Sequence, residues 1–509
     1  MFVVPRSKDD HSMIRHLIST TLARCAVLGS VLTSAAMAQA APLTGDDAQL
    51  AAAFDQVVRQ SMNDGIVPGF AAALIKDGKL IYIKAVGVTT PVGGEPITAR
   101  SRFSIGSVTK TLTSAAVMAL QEEGRVDLDA PAAKYLPELK QARDPRAMLL
   151  KVRDLLSGRG CIPDIYLGSS ADPDALEATT ARIIKMPNFD LECVPGTKYV
   201  YPNFGMSMAG LLVQRVSGMP FEDYVQKRLF DRIGMKDSSV RYWEPAALGP
   251  NRGHFRAVKG RSVQGGGVIG RSVGPTGMGS ASIEDMVAYA LTLINRGTAP
   301  NGARVLSEKS LQELWGNQGE AVSEIAVVAP GIQTSYGLGW ELNDFAGMKF
   351  ISKGGSTNVM AAYIAVLPEQ RSAVIWLSNL ADYGKVQVTF NGMKLLAGAK
   401  ASPYRTIPFR HAPTPKKVPL SDKAIKELVG HYQTHHNDIS GFDVTERNGK
   451  LWFNILGSEF EGIPTASGLF ARGNTTEWDG HEFRIVRQHG RLELWDGDAK
   501  IGQRQISNP

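Results

Sequence analysis

Residues 103–110 read Phe103-Ser104-Ile105-Gly106-Ser107-Val108-Thr109-Lys110, and an apolar run continues from there to Gly124. Phe103 to Gly106 is strand-like. From 108 to 123, Val108, Leu112, Ala115, Ala116, Ala119 and Leu120 are spaced as in a buried helix, and Gly124 is its stop signal. Ser107 therefore stands at the start of the helix, with Lys110 one turn on and on the same face. A serine hydroxyl is a poor nucleophile until a neighbouring base takes its proton. Burial disfavours an ammonium, so a buried lysine amine can be that base. The helix start also supplies free N–H groups close to the same atoms. A capping serine beside a surface lysine would give the same four letters, so the tetrad needs support from the rest of the chain.

Upstream, Phe70–Lys76 and Lys79–Val86 are apolar runs joined at Asp77-Gly78, which predicts a tight hairpin. Downstream, 125–300 reads as helices and long loops, with a capping-box pattern at Ser282 and Asp285. Strands return at Ala361–Leu367 and Ser372–Leu377, around a turn containing Pro368. Strands early, helices in the middle and strands late predict an α+β (or α/β) domain over 41–398. Its antiparallel sheet would be flanked by helices, with a helical region inserted and a cleft at the junction. Residues 399–419 hold five prolines and read as a linker. Residues 420–509 read as short strands, with hairpin turns at Asn448-Gly449 and Asp479-Gly480. Trp452, Phe453, Phe483, Ile485, Leu492, Leu494 and Trp495 are expected to line a small all-β barrel.

With 509 residues, 43% hydrophobic and 21% charged, the chain has the composition of a multidomain globular protein. Arg15 and Arg24, an apolar run over Ala26–Ala36 and small residues up to Ala41 form a secretory signal pattern over 1–40, with Met13 as an alternative start. This predicts a periplasmic or secreted protein with no transmembrane segment. Cleavage removes Cys25 and leaves Cys161 and Cys193, which can pair in an oxidising compartment. The net charge of +7 falls to about +5 once the four Lys/Arg and two Asp/Glu of residues 1–40 are gone. No basic block or aromatic interleaving accompanies it, so nucleic acid is not an expected partner. Anionic peptidoglycan is a candidate partner, beside a small-molecule or peptide substrate.

Two further segments carry chemistry. In Tyr201-Pro202-Asn203 a phenol can relay protons beside a lysine, and Asn203 can donate to a substrate carbonyl. In Lys353-Gly354-Gly355-Ser356 the glycines let backbone approach a ligand, and Lys353 offers a positive charge for a substrate carboxylate. A backbone N–H here, with that of Ser107, can form an oxyanion hole. Gly265–Gly270 spells a dinucleotide-type glycine pattern but follows no strong strand, and reads as a flexible loop. His435-His436 lacks partners at ligand spacing, so neither a metal nor another cofactor is expected.

Phe103–Lys110, with Gly124-Arg125-Val126-Asp127-Leu128 one helix later, resembles the first motif region of class C β-lactamases and related penicillin-recognising enzymes. Tyr201-Pro202-Asn203 is similar to their second motif and Lys353-Gly354-Gly355 to their third, with Tyr336-Gly337-Leu338-Gly339-Trp340 before it. Order and separations agree, over about residues 50–398. The family contains β-lactamases, D-amino-acid peptidases and carboxylesterases. The resemblance implies a serine hydrolase that forms an acyl-enzyme on amide or ester bonds. It makes Ser107 the nucleophile, Lys110 and Tyr201 the acid/base pair, and Asn203, Lys353, Gly355 and Ser356 the substrate-binding residues. The N–H groups of Ser107 and Ser356 would form the oxyanion hole. Two departures stand out. Leu155-Leu156-Ser157-Gly158-Arg159-Gly160 replaces the usual Leu-Leu-x-His-x-Ser-Gly, and Gly354 stands where β-lactamases usually carry threonine. The C-terminal region resembles the lipocalin-like barrel of some D-peptidases and esterases in this group. A wall-binding protein with little turnover is the alternative.

Overall fold

A computed structural model describes residues 44–505 except 63–66, 92, 164–174, 185–188, 242–247, 258–260, 265–270, 322–331, 346, 358, 381–385, 404–417, 435–441, 456–457, 465–469, 474–477, 489–490 and 497–498. The expected signal at 1–40, most of the expected linker, the Gly265–Gly270 run and His435-His436 lie outside the described residues.

Asp77 (φ 52°) and Gly78 (φ 78°) both take left-handed backbone, the geometry of a two-residue hairpin turn. They join strand β1 (Gly69–Lys76) to β2 (Lys79–Gly87). β3 (Phe103–Gly106) leads into helix α2 (Thr109–Glu122). β4 (His254–Ala257) pairs with β5 (Arg261–Gln264), and β6 (Gly279–Ala281) pairs with β3. β7 (Gln333–Tyr336), β8 (Glu341–Phe345), β9 (Met348–Ser356), β10 (Ala361–Leu367) and β11 (Ser372–Ser378) then run as a meander. β1 lies antiparallel to β11, Phe70 opposite Ser378, and so closes the seven-stranded order β2-β1-β11-β10-β9-β8-β7. Early and late strands thus share one sheet, with the helical region between them in sequence.

Alternation along β1 shows why both faces are dry. Phe70, Ala72 and Leu74 pack with Phe54 and Val57 of α1 (Gly45–Met62) and with Val388 and Met393 of a C-terminal helix, Val386–Leu396. Ala71, Ala73 and Ile75 face the other way, into the core that holds Met286 and Val287 of the helix Ile283–Ile294. At the start of that last helix Ser282 Oγ accepts from the Asp285 N–H at 3.1 Å. The expected box is only half made, because the Asp285 carboxylate turns to the Asp237 N–H and Ser238 Oγ, both at 2.7 Å.

Eight C-terminal strands, β12 (Gly430–Thr434) to β19 (Ala499–Gln505), form a closed barrel in which β12 pairs with both β13 (Phe442–Arg447) and β19. Phe453 and Leu492 are buried inside, with Tyr432, Val444 and Leu451; Trp452 instead points to the other face, against Arg447. The side chains of Phe483, Leu494 and Trp495 lie outside the described residues. Asp479-Gly480 is not a turn. It lies inside β17 (Trp478–Gln488), and the chain reverses between Gln488 and Arg491 instead. A turn-forming dipeptide yields here to the pairing of the strand around it. Among the described residues no helix is long and apolar enough to cross a membrane.

Candidate active site

Lys353-Gly354-Gly355-Ser356 occupies the end of strand β9, a strand the sequence reading did not mark. Its two glycines hide the strand, because they carry no β-forming side chain. The consequence is a very close approach. A Cβ on Gly355 would lie 2.0 Å from the Ile105 carbonyl oxygen, 2.6 Å from the Ser107 nitrogen and 2.8 Å from the Val108 nitrogen. One on Gly106 (φ 48°) would lie 2.4 Å from the Ser356 nitrogen. The end of β9 is thus pressed onto the turn between β3 and α2, and the Ser107 and Ser356 N–H groups flank the contact. Thr109 secures the turn: its Oγ1 donates to the Gly106 carbonyl at 2.6 Å and accepts from the Gly279 N–H of β6 at 2.8 Å.

Ser107 is half-buried, and Val108, at the helix N-cap, makes no side-chain capping bond. The Ser107 hydroxyl accepts instead from Lys110 Nζ at 2.9 Å. Lys110 is fully buried and also donates to the Thr276 carbonyl at 2.9 Å. Thr276, in the turn Gly274–Gly277, donates its own Oγ1 to the Asn203 carbonyl at 2.8 Å. No sequence signal marked Thr276, since its link to Lys110 runs through a backbone oxygen that any residue offers.

Tyr201 is half-buried, and Asn203, also half-buried, opens the helix Asn203–Ser217 with its N–H donating to the Tyr201 carbonyl at 3.0 Å. Lys110 Nζ lies 4.8 Å from the centre of the Tyr201 ring and Lys353 Nζ lies 4.9 Å from it. One phenol therefore stands within reach of both lysines. The segment leading to it is fastened by the Val200 N–H on the Gly158 carbonyl (2.8 Å) and the Gly196 N–H on the Arg159 carbonyl (2.7 Å). Beside these bonds the structure joins Cys161 to Cys193, with Cα atoms 5.2 Å apart. At Gly158, where the resembling family carries histidine, a Cβ would fall 2.7 Å from the Tyr199 ring, so Tyr199 fills that space.

Lys353 differs most from its expected state. The sequence reading gives it an available charge for a substrate carboxylate; the structure buries it against Glu341, Nζ to Oε1 3.1 Å, with side-chain exposures of 2% and 4%. The Tyr336 ring centre lies 5.2 Å from the same nitrogen. Ser352 Oγ donates to the other Glu341 oxygen at 3.4 Å and accepts from Asn343 Nδ2 at 2.9 Å and from the Tyr363 hydroxyl at 3.0 Å. Burial by itself disfavours the Lys353 ammonium. Tyr201, Tyr336, Glu341 and Tyr199 outweigh it and hold the amine well above its ordinary range. Burial pushes the Tyr336 and Tyr199 phenols up. Glu341, directly after the Tyr336–Trp340 segment, is the functional candidate that sequence reasoning missed. A lone glutamate in a strand carries no signal until its partner is known.

The structure thus gathers Ser107, Lys110, Tyr201, Asn203, Lys353, Gly355 and Ser356 at the meeting of β3, α2 and β9. Among the described residues no group of three or more His, Cys, Asp or Glu is placed to hold a metal. A family model described as beta-lactamase matches residues 54–394. The chain is 28% identical over 318 residues to penicillin-binding protein 4 of Amycolatopsis lactamdurans, spanning 62% of this chain and 81% of that protein. It is 28% identical over 216 residues to esterase EstB of Burkholderia gladioli, spanning 39% of this chain and 54% of that one. Among solved structures, an octameric penicillin-binding protein homologue from Pyrococcus abyssi shares the fold with a TM-score of 0.57 at 21% identity, over 88% of this chain and 98% of that chain.

Proposed function

The chain belongs to the beta-lactamase family, and from that premise we propose that it is a serine hydrolase acting through an acyl-enzyme on amide or ester bonds. The observation that carries the reading is the 2.9 Å contact between Ser107 Oγ and Lys110 Nζ, with the lysine fully buried. With the amine neutral, the same contact carries the serine proton to lysine as Oγ attacks the substrate carbonyl carbon. The oxygen of the tetrahedral intermediate sits between the Ser107 and Ser356 N–H groups. Lys110 and Tyr201 return the proton to the leaving group, and the acyl group stays on Ser107. Water then attacks the acyl carbon; the same pair takes its proton and passes it to Ser107 Oγ as the acyl–oxygen bond breaks, which frees the acid and restores the serine hydroxyl. Asn203 orients the substrate amide or ester carbonyl.

We place the protein in the periplasm or outside the cell, on the signal pattern of residues 1–40 and the Cys161–Cys193 bond. Intact-protein mass spectrometry with a fluorophosphonate and with a penicillin, followed over time, tests the function. The expected result is one adduct on Ser107 with each. The fluorophosphonate adduct persists and the penicilloyl adduct decays slowly, because Gly354 offers no hydroxyl for the lactam carboxylate. No adduct with either reagent refutes the proposal. A permanent penicilloyl adduct without turnover of any ester or amide would favour the wall-binding alternative.

A further inference from the structure

A cation that recognises a substrate carboxylate has to present a charge that nothing else cancels. Lys353 does not meet that condition: Glu341 holds its ammonium at 3.1 Å, and both side chains are almost completely enclosed. The glutamate is fixed from two sides. Glu341 sits opposite Ser352 in the β8–β9 register, and its carboxylate accepts from Ser352 Oγ, which is itself bonded by Asn343 and Tyr363. The next position after Lys353 is Gly354, without a donor side chain. Resting on the acyl-enzyme reading above, we propose that Glu341 is a specificity-determining positioning residue: by cancelling the Lys353 charge it tunes the site to substrates whose leaving group is uncharged, and against those with a carboxylate there.

The size of the effect follows from Coulomb's law. A unit charge about 8 Å from a substrate carboxylate, at an effective dielectric of about 20, changes a rate ratio roughly thirtyfold. Paired with Glu341 the lysine presents only a short dipole, and most of that factor is absent. Lys353 keeps its place beside Tyr201, its Nζ 4.9 Å from the centre of the ring.

Two esters with the same acyl group test the proposal, one with a 4-nitrophenyl leaving group and one with its 3-carboxy derivative. The kcat/KM of each is divided by its rate of alkaline hydrolysis. The wild-type protein is expected to give the anionic ester no advantage over the neutral one. Glu341→Gln should move the neutral-to-anionic ratio about tenfold toward the anionic ester, and Glu341→Asp, which keeps the charge, should stay within about threefold of wild type. A Glu341→Gln variant that slows both esters equally would overturn the proposal, and so would a wild-type preference for the anionic ester. The wild-type ratio decides the matter by itself if Glu341→Gln does not fold. The acyl-enzyme reading fails separately: in that case Ser107→Ala would still hydrolyse both esters.

Discussion

Gly355→Ala is the smallest change that should disable the site without touching a reactive group. The added methyl would stand 2.0 Å from the Ile105 carbonyl oxygen and 2.6 Å and 2.8 Å from the nitrogens of Ser107 and Val108. All three are backbone atoms, so no side chain can swing away. An ordinary nonbonded contact is about 3.5 Å, so the end of β9 must part from the β3–α2 turn by roughly 1 Å or more. That movement separates the Ser107 and Ser356 N–H groups. Displacing catalytic geometry by about 1 Å costs on the order of 10²-fold, and losing one oxyanion donor costs about 10²–10³-fold. Overpacking of this kind also costs about 1–3 kcal/mol of stability. Steady-state hydrolysis of a 4-nitrophenyl ester, beside a thermal melt, reads both. The expected result is kcat down about 100-fold or more in a folded protein whose melting temperature falls by a few degrees. A folded Gly355→Ala variant with wild-type kcat would refute the argument that these N–H groups act on the reaction.

Ser107→Ala should abolish hydrolysis and leave the melting temperature within a few degrees of wild type, since its hydroxyl bonds only at the site; retained activity in that assay rejects the nucleophile. Cys161 sits at φ 51°, a left-handed backbone that strains most residues but not glycine. Opening its bridge, with a sequence separation of 32 residues, should cost roughly 3–4 kcal/mol by chain entropy. Cys161→Gly/Cys193→Ser should recover up to about 1 kcal/mol relative to Cys161→Ser/Cys193→Ser in urea unfolding. Two free thiols in unreduced, denatured wild type would remove the bridge altogether. Burial pushes the Asp285 carboxyl up to about 6 from its usual 3.8, so the folded state takes up a proton between these values. Its contribution is complete below about pH 4 and is lost as pH rises through 6. Asp285→Asn, whose amide oxygen can accept both bonds now made to the carboxylate, should flatten the stability–pH slope in that window by about 2–3 kcal/mol in total. An unchanged slope would show that burial does not shift this group.

Local order was legible wherever a residue type forces a conformation. Asp77-Gly78 announced its hairpin because both positions need left-handed backbone, and the spacing of Leu112, Ala115, Ala116 and Ala119 announced α2. The strands 361–367 and 372–378 showed as apolar runs because both faces of the sheet are covered. Legibility failed where local preference and pairing disagree. Asp479-Gly480 looks like a turn and is held in a strand, and the glycines of β9 look like a turn and close the site.

The sequence alone determined which residues carry reactive groups and in what order: Ser107 with Lys110 a turn away, then Tyr201, then Lys353 with its glycines. One helical turn is enough to place the first pair, so that contact is a property of the local backbone. Only the tertiary structure decided what each group feels. Lys353 meets Glu341 because β8 and β9 pair in one register, meets Tyr201 because the loop before the helix 203–217 reaches across, and is buried with the Tyr336 ring 5.2 Å from its amine. Charge state and access are sums over contacts from distant parts of the chain. No stretch of sequence contains them, and here they bury against Glu341 a lysine that reads in the sequence as an available charge.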